Sequence, residues 1–458
     1  MKEIPSEPSK PLLNATVRSA APLAGALTMP PDKSIAHRAL LIAALCRGTT
    51  EITPLPSSED CARTLQLIEA LGVPVRRNAS SSVQIVGQGL ARPFHTPDAD
   101  LWCGDSGTTL RLFAGVLAGQ PWAARLTAAA SLMNRPMRRV IEPLTEMGAV
   151  IQGESRGQEV YPPLAIRGRR PLASIRYTMP VASAQVKSAI VLAGLFAEGP
   201  TTVIEPTPTR DHTERMARAC GGRVTFEPGR VTIESGPLTS PGRLIVPGDI
   251  SSAAFLAVAA SCVSGSRLRL CQVSLNPSRT AWISVLQRMG AAITTAVIED
   301  AGEPSGDVAV EARPLRGAQI SPSEVPALID ELPILMVAAA CAEGCSRFSG
   351  IGELRVKETD RVASMMAGLR RMGIRVESPA PDVIEIEGGR LTGAAVESAA
   401  DHRTAMSLAV AGLAASGVTT IRGAECVAKS FPEFFEYLQQ ITPPETVTVE
   451  SSVTPKDR

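Results

Sequence analysis

Five times along the chain an amphipathic run ends in glycine and is followed at once by a short β-branched run. The segments are IEALGVPV around Gly72, LTEMGAVI around Gly148, ARACGGRV around Gly221, LQRMGAAI around Gly290 and LRRMGIRV around Gly373. Glycine suits a helix C-terminus because it enters the left-handed region without a Cβ penalty. Val and Ile suit a strand. The regular recurrence of this helix, glycine, strand pattern divides the chain into about six similar units.

A second repeat joins two distant segments. GALTMPPDKSIAHRAL, from Gly25, matches GRLIVPGDISSAAFLA, from Gly242, and IRYTMPVASAQVKSAI, from Ile175, is a weaker third copy. Each predicts a strand, a proline turn, a polar helix cap and an Ala-rich helix. The runs RALLIAAL, AIVLAGL, AFLAVAA, ILMVAAA and AMSLAVAGLAA are apolar on most faces. Helices of that kind lie inside a domain rather than on it. The expectation is an α/β protein of six βα-type units in two halves. Residues 1–30 and 247–442 would form one discontinuous domain and residues 31–246 the other. Residues 443–458 are polar and aperiodic and predict a disordered tail.

Composition narrows the function. The 458 residues carry a formal net charge of +1, and aromatics make up only 3%. Neither a basic surface nor base-stacking platforms are indicated, so nucleic acid is not an expected partner. No run reaches the roughly 18 apolar residues that span a bilayer. Met1 to Pro22 lacks a charged-then-apolar leader pattern. Nine scattered cysteines without a CxxC pair suggest reduced, buried thiols, a cytoplasmic protein and no metal site.

The repeat also locates candidate chemistry. Asp32 matches Asp249 and Ser34 matches Ser251, but Lys33 faces Ile250 and Arg38 faces Phe255. One copy therefore carries two cations that the scaffold does not require. With Asp32 as N-cap, Lys33 and Ser34 fall in the first helical turn, where free N–H groups favour an anion, and Arg38 follows one turn on. Further cations stand beside Gly, Ser or Pro turns: Arg111 after GDSGTTL, Arg135 in NRPMRR, Arg210 in TRDHTE, Lys357 and Arg361 in RVKETDR, Arg403 in DHRTAM and Lys429 in AKSFP. RVKETDR reads as one and a half helical turns. Any one cluster fits a solvated helix end. Together they fit a shared polyanion site between two repeated domains, and phosphate esters bring about −1.5 to −2 charges each. Gathering Lys33, Arg111, Arg135, Arg361, Arg403 and Lys429 without anions would be costly, which predicts a cleft that stays open until ligand closes it.

Other motifs lead nowhere. GDSG at Gly104 to Gly107 occurs around the nucleophile of chymotrypsin-like proteases, but no histidine has a matching context and the following Thr-Thr-Leu-Arg suits an anion-binding helix start. There is no GxGxxG after a strand, no GxxxxGK[ST] and no HExxH.

DKSIAHR, RPM, SAQVK, LRVKETDR, DHR and AKSFP, in this order from Leu23 to Gln440, resemble the 5-enolpyruvylshikimate-3-phosphate (EPSP) synthases, the 3-phosphoshikimate 1-carboxyvinyltransferases. SAQVK and RDHTE resemble the class II form. Pro31 departs from that form, which has Gly before DKS, as does Ser278 in Asn276-Pro277-Ser278-Arg279, where Thr is usual. The resemblance implies an inverse α/β barrel of two domains, each of three βαβαββ units. It implies transfer of the carboxyvinyl group of phosphoenolpyruvate to the 5-hydroxyl of shikimate 3-phosphate, with release of phosphate, on the route to chorismate and the aromatic amino acids. No metal or organic cofactor is implied, and the family is usually monomeric. By matching position, Lys33, Ser34, Arg38, Ser183, Ala184, Gln185, Arg210, Asp330 and Lys357 would hold shikimate 3-phosphate. Lys33, Gly107, Arg111, Arg135, Gln185, Arg361, Arg403 and Lys429 would hold phosphoenolpyruvate. Asp330 would serve as base at the attacking hydroxyl and Glu358 would handle the proton on the methylene carbon, with Lys33 and Lys357 close by.

Two other functions fit parts of the pattern. The sister transferase acting on UDP-N-acetylglucosamine shares fold and donor but normally carries a loop cysteine, and the matching stretch Thr127 to Arg135 has none. A silent phosphometabolite-binding scaffold would need no acid–base set such as Asp330, Lys357 and Glu358. Glyphosate competes with phosphoenolpyruvate in this family. The class II motifs suggest tolerance of it, whereas Gly107 leaves room for it.

Overall fold

The computed structural model describes residues 12–78, 81–299 and 302–451. Among these, the strands form six four-stranded sheets of one topology. In the simplest, Arg176–Thr178 runs parallel to Thr201–Ile204, which pairs antiparallel with Arg230–Glu234, which pairs antiparallel with Arg223–Glu227. A parallel pair needs a crossover, and the Ala184–Gly194 helix supplies it. With the His212–Ala219 helix before the final hairpin, the unit reads βαβαββ.

Six apolar helices fill the interior: Lys33–Leu45, Gly107–Ala118, Ala184–Gly194, Ile250–Cys262, Leu332–Ala340 and His402–Ala414. Composition singled out five of them. It missed Gly107–Ala118, whose residues are nearly all buried. The repeated glycines Gly72, Gly148, Gly221, Gly290 and Gly373 all have φ between +78° and +100°, the helix-ending conformation their pattern predicts.

Buried apolar side chains form two cores. One draws on Ala15 to Met29 and Ile250 to Val447, the other on Ile35 to Val246. The chain crosses between them twice. Ala24–Thr28 leads into the Lys33–Leu45 helix of the second core but pairs with Arg267–Ser274 of the first. Arg243–Ile245 leads into the Ile250–Cys262 helix of the first core but pairs parallel with Arg47–Thr53 of the second. The two crossings touch: Asp32 N donates to Pro247 O at 2.8 Å and Asp249 N donates to Pro30 O at 2.7 Å. The paired copies found in the sequence thus flank the two places where the chain passes from one core to the other.

Two expectations need correction. Residues 443–458 are not a tail throughout, because Val447–Ser451 is a strand paired antiparallel with Leu13–Arg18. It is an outer strand with one mostly exposed face, so it reads as polar, and its partner lies at the other end of the sequence. Residues 452–458 lie outside the described residues. RVKETDR is not a continuous helix either: Gly352–Val356 is a 3₁₀ turn, and the next helix, Arg361–Arg371, starts only after Asp360. The Asp360 carboxylate accepts from Ala363 N at 2.9 Å, and a side chain that caps one helix cannot lie inside another.

Candidate active site

The N-termini of the apolar helices converge between the two cores. Asp32 accepts from Ile35 N at 2.8 Å, Ser106 from Thr109 N at 3.2 Å, Ser183 from Val186 N at 3.4 Å and Asp401 from Thr404 N at 2.8 Å. Residues at the starts of these four helices line the cleft, so several helix dipoles favour negative charge at one place. The cleft encloses a cavity of about 350 Å³, lined from both domains.

Of the sequence-predicted residues, Lys33, Ser34, Arg38, Gly107, Arg135, Ser183, Ala184, Gln185, Arg210, Asp330, Lys357, Glu358, Arg361 and Arg403 line this cavity. Arg111 and Lys429 stand one contact behind the wall. Arg111 Nη1 donates to Gln185 Oε1 at 3.0 Å, and Lys429 Nζ lies 3.1 Å from Asp105 Oδ2. Arg38 is engaged by the scaffold, donating to Thr213 Oγ1, Ser188 Oγ and Ser34 O at 2.8 to 2.9 Å. The wall also includes His402 of the DHR cluster, and Asp60, Asp105, Thr108 and Glu353, which sequence reasoning missed. Asp60 and Asp105 lie beside the predicted cations only after folding.

Acid and cation alternate across the cleft. Arg135 Nη1 lies 3.3 Å from Glu358 Oε1, and Arg361 Nη2 donates to Glu358 Oε2 at 2.6 Å. Arg210 donates to Asp330 Oδ2 and lies 3.3 Å from Ser34 Oγ. Lys33 Nζ pairs with Asp60 at 3.0 Å, and Arg139 with Glu353 at 2.9 Å. The pairs through Arg135, Arg139, Arg210 and Lys429 join the two domains. In this structure the domains meet across the cleft, with carboxylates of the chain itself between the cations.

These neighbours set the charge states. Burial opposes ionisation of Asp330, but Arg210, Arg403, Arg279 and Lys357 outweigh it and hold the carboxyl well below its ordinary range. Burial likewise opposes ionisation of Glu358, and Arg361 and Arg135 hold it well below its ordinary range. Lys357 is pushed down to about 8 by burial, with Arg135 and Arg361 adding repulsion against the pull of Asp330. Burial lowers Lys33 too, yet Asp60 more than compensates and leaves it raised. Burial beside Arg135 lowers Arg111 to about 9.

Among the described residues no group of three or more His, Cys, Asp or Glu side chains could hold a metal ion, and no helix is long and apolar enough to cross a membrane. Five cysteines are buried and three half-buried, but Cys345 is exposed, against expectation; none is in a disulfide.

A two-domain α/β protein whose helix N-termini, arginines and lysines enclose a small cavity in which Asp330 and Glu358 are held ionised is built as an enzyme for small polyanions. The chain belongs to the EPSP synthase (3-phosphoshikimate 1-carboxyvinyltransferase) family, whose model matches residues 17–438. It is 48% identical over 443 residues to the 3-phosphoshikimate 1-carboxyvinyltransferase of Synechococcus sp. (strain JA-3-3Ab), covering 94% of this chain and 98% of that one. It is 46% identical over 413 residues to the enzyme of the same name from Xanthomonas campestris pv. campestris (strain B100), covering 90% and 93%. The solved EPSP synthase of Acinetobacter baumannii superposes with a TM-score of 0.84 at 42% identity, over 96% of this chain and all of that one. The enolpyruvyl transferase NikO from Streptomyces tendae shares the fold, with a TM-score of 0.75 at 17% identity, over 97% of this chain and 100% of that one.

Proposed function

We propose that this protein transfers the carboxyvinyl group of phosphoenolpyruvate to the 5-hydroxyl of shikimate 3-phosphate and releases phosphate. The observation that carries this is the placement of Asp330 and Glu358, two charged carboxylates on one cavity wall that share Arg361. The domain division at residues 30 and 247 is part of the proposal, supported by the two separate cores.

Shikimate 3-phosphate lies against Ser34, Arg38, Ser183, Ala184, Gln185 and Arg210, with Lys357 near its ring hydroxyls. Phosphoenolpyruvate lies among Lys33, Gly107, Arg111, Arg135, Gln185, Arg361, Arg403 and Lys429. Guanidinium groups suit both its carboxylate and its phosphate, which they hold by paired hydrogen bonds. As these anions take over Arg135 and Arg361, Glu358 loses its partners, its carboxyl rises and it gains a proton. It then protonates the methylene carbon. Asp330 accepts the proton of the 5-hydroxyl as that oxygen bonds to the electron-poor carbon. In the second half the methyl group returns a proton to Glu358, the carbon–oxygen bond to phosphate breaks with its electron pair going to the phosphate oxygen, the vinyl double bond re-forms and Asp330 gives its proton to the departing phosphate, so acid and base exchange roles. The surrounding cations stabilise charge on the departing phosphate, and the closed cleft keeps water from the cationic carbon.

No organic cofactor enters this scheme. A monomer is what the family resemblance implies. Nine cysteines outside any disulfide fit a cytoplasmic location. A competition between acceptors tests the assignment: product should form with shikimate 3-phosphate and not with UDP-N-acetylglucosamine, and the reverse would move the chain to the sister reaction.

A further inference from the structure

The loop Asn276–Arg279 stood out in the sequence, and the scheme above gives it no task. It ends in Arg279, which is 2% exposed. Arg279 Nη2 donates to Glu331 Oε1 at 3.0 Å and to Ser251 Oγ. Its Nη1 lies 3.8 Å from Asp330 Oδ2. On the other oxygen, Arg361 Nη1 lies 3.8 Å from Asp330 Oδ1. Neither Nη1 has a hydrogen-bond partner among the described residues. The hydrogen bond to Asp330 comes from the other domain, from Arg210, a cation that lines the cavity and also reaches Ser34.

Arg210 is therefore an exchangeable partner. Once it turns to an anionic ligand, Asp330 loses its hydrogen bond. Two buried guanidinium groups then flank the carboxylate, each with an N–H that is costly to leave unpaired. A shift of about 1 Å brings a 3.8 Å contact into hydrogen-bond range. Glu331 neutralises Arg279 from behind and fixes its position.

We propose that Arg279 is a positioning residue for Asp330: with Arg361 it receives the carboxylate when Arg210 turns to the ligand, and holds it against the acceptor side of the cleft. This rests on the assignment of Asp330 as the base. A purely structural Arg279–Glu331 pair would lower Asp330 by the same amount with and without an anion on Arg210, whereas an Arg279 that receives the carboxylate lowers it more once the anion is bound.

The charged groups facing Asp330 are Arg210, Arg279, Lys357, Arg361 and Arg403, with Glu331 beside it in the chain. An opposite charge within about 4–6 Å lowers a carboxyl by roughly 1–3 pH units. In Arg279→Gln the acidic limb of the pH–rate profile should move up by about one unit, with kcat falling more than KM rises. Arg279→Lys should return the limb most of the way. If the unpaired Glu331 impairs folding of Arg279→Gln, the double variant Arg279→Met/Glu331→Met leaves neither charge of the pair buried alone and should show the same limb. Carbon-13 NMR of aspartate-labelled protein, with the Asp330 signal assigned through Asp330→Asn and inorganic phosphate as the anion, should show the same upward movement. An unmoved limb and an unmoved Asp330 signal overturn the proposal, as does failure of lysine to restore either. A wild-type protein that turns over no substrate sinks the functional reading instead, and the NMR titration still decides the positioning role.

Discussion

Arg135 Nη1 lies 3.3 Å from Glu358 Oε1, a contact between the two domains through the carboxylate that serves as the acid in the proposed reaction. With Arg361 on its other side, Glu358 is held ionised, and an ionised carboxylate has no proton to give. In the proposed reaction anionic substrate therefore displaces it from its arginines before chemistry starts.

Binding of phosphoenolpyruvate at neutral pH, with shikimate 3-phosphate already present, should thus take up a proton. Calorimetry in buffers of different ionisation enthalpy measures this directly. Glu358→Gln should bind shikimate 3-phosphate normally, abolish the proton uptake and lose turnover by a factor of about 10² or more. Near-normal turnover in that variant would contradict the assignment.

Gly107 opens its helix beside Arg111 and Arg135, two arginines assigned to the donor in the proposed reaction. A Cβ at this position would stand 2.7 Å from Arg111 Nη1 and 2.8 Å from Arg135 Nη1. Both contacts are to ends of flexible side chains, so Gly107→Ala should fold and push the guanidinium groups aside. The KM for phosphoenolpyruvate should rise several-fold and inhibition by glyphosate should weaken by more. Equal inhibition constants for the two proteins would remove Gly107 from the donor site.

Lys357, pushed down to about 8 by burial and two neighbouring arginines, loses its charge as pH rises through that value. The rate at limiting substrate should therefore fall above about pH 8, and bound anions should move the fall upward in the saturated enzyme. Lys357→Arg keeps its charge throughout and should remove this limb, whatever its overall rate. A limb unchanged in that variant would assign it to another group.

Lys187, in SAQVK, is buried between Glu205 at 3.0 Å and Glu214 at 2.9 Å. Its task is structural. Removing it strands two buried carboxylates, so Lys187→Met should destabilise the protein by about 3–5 kcal/mol. Urea unfolding of that variant, against Lys187→Met/Glu205→Gln/Glu214→Gln, measures the cost, which should be smaller in the triple variant.

Much of the architecture was legible in the sequence because it repeats. The Asp32 and Asp249 copies marked both crossings between the two cores, and the five glycines marked helix ends whose backbone angles follow. The cations were legible because they break an apolar pattern, as Lys33 does against Ile250. Their carboxylate partners were not. Asp60 and Asp105 sit at ordinary helix starts and meet Lys33 and Lys429 only through the tertiary fold. The Val447–Ser451 strand was missed for a similar reason, since its pairing partner lies more than four hundred residues away.

The most direct test of the account is phosphate release from phosphoenolpyruvate by the wild-type protein in metal-free buffer, with and without shikimate 3-phosphate. Release that requires shikimate 3-phosphate and matches product formation one for one is the predicted result. Release independent of shikimate 3-phosphate, or none in its presence, would contradict it.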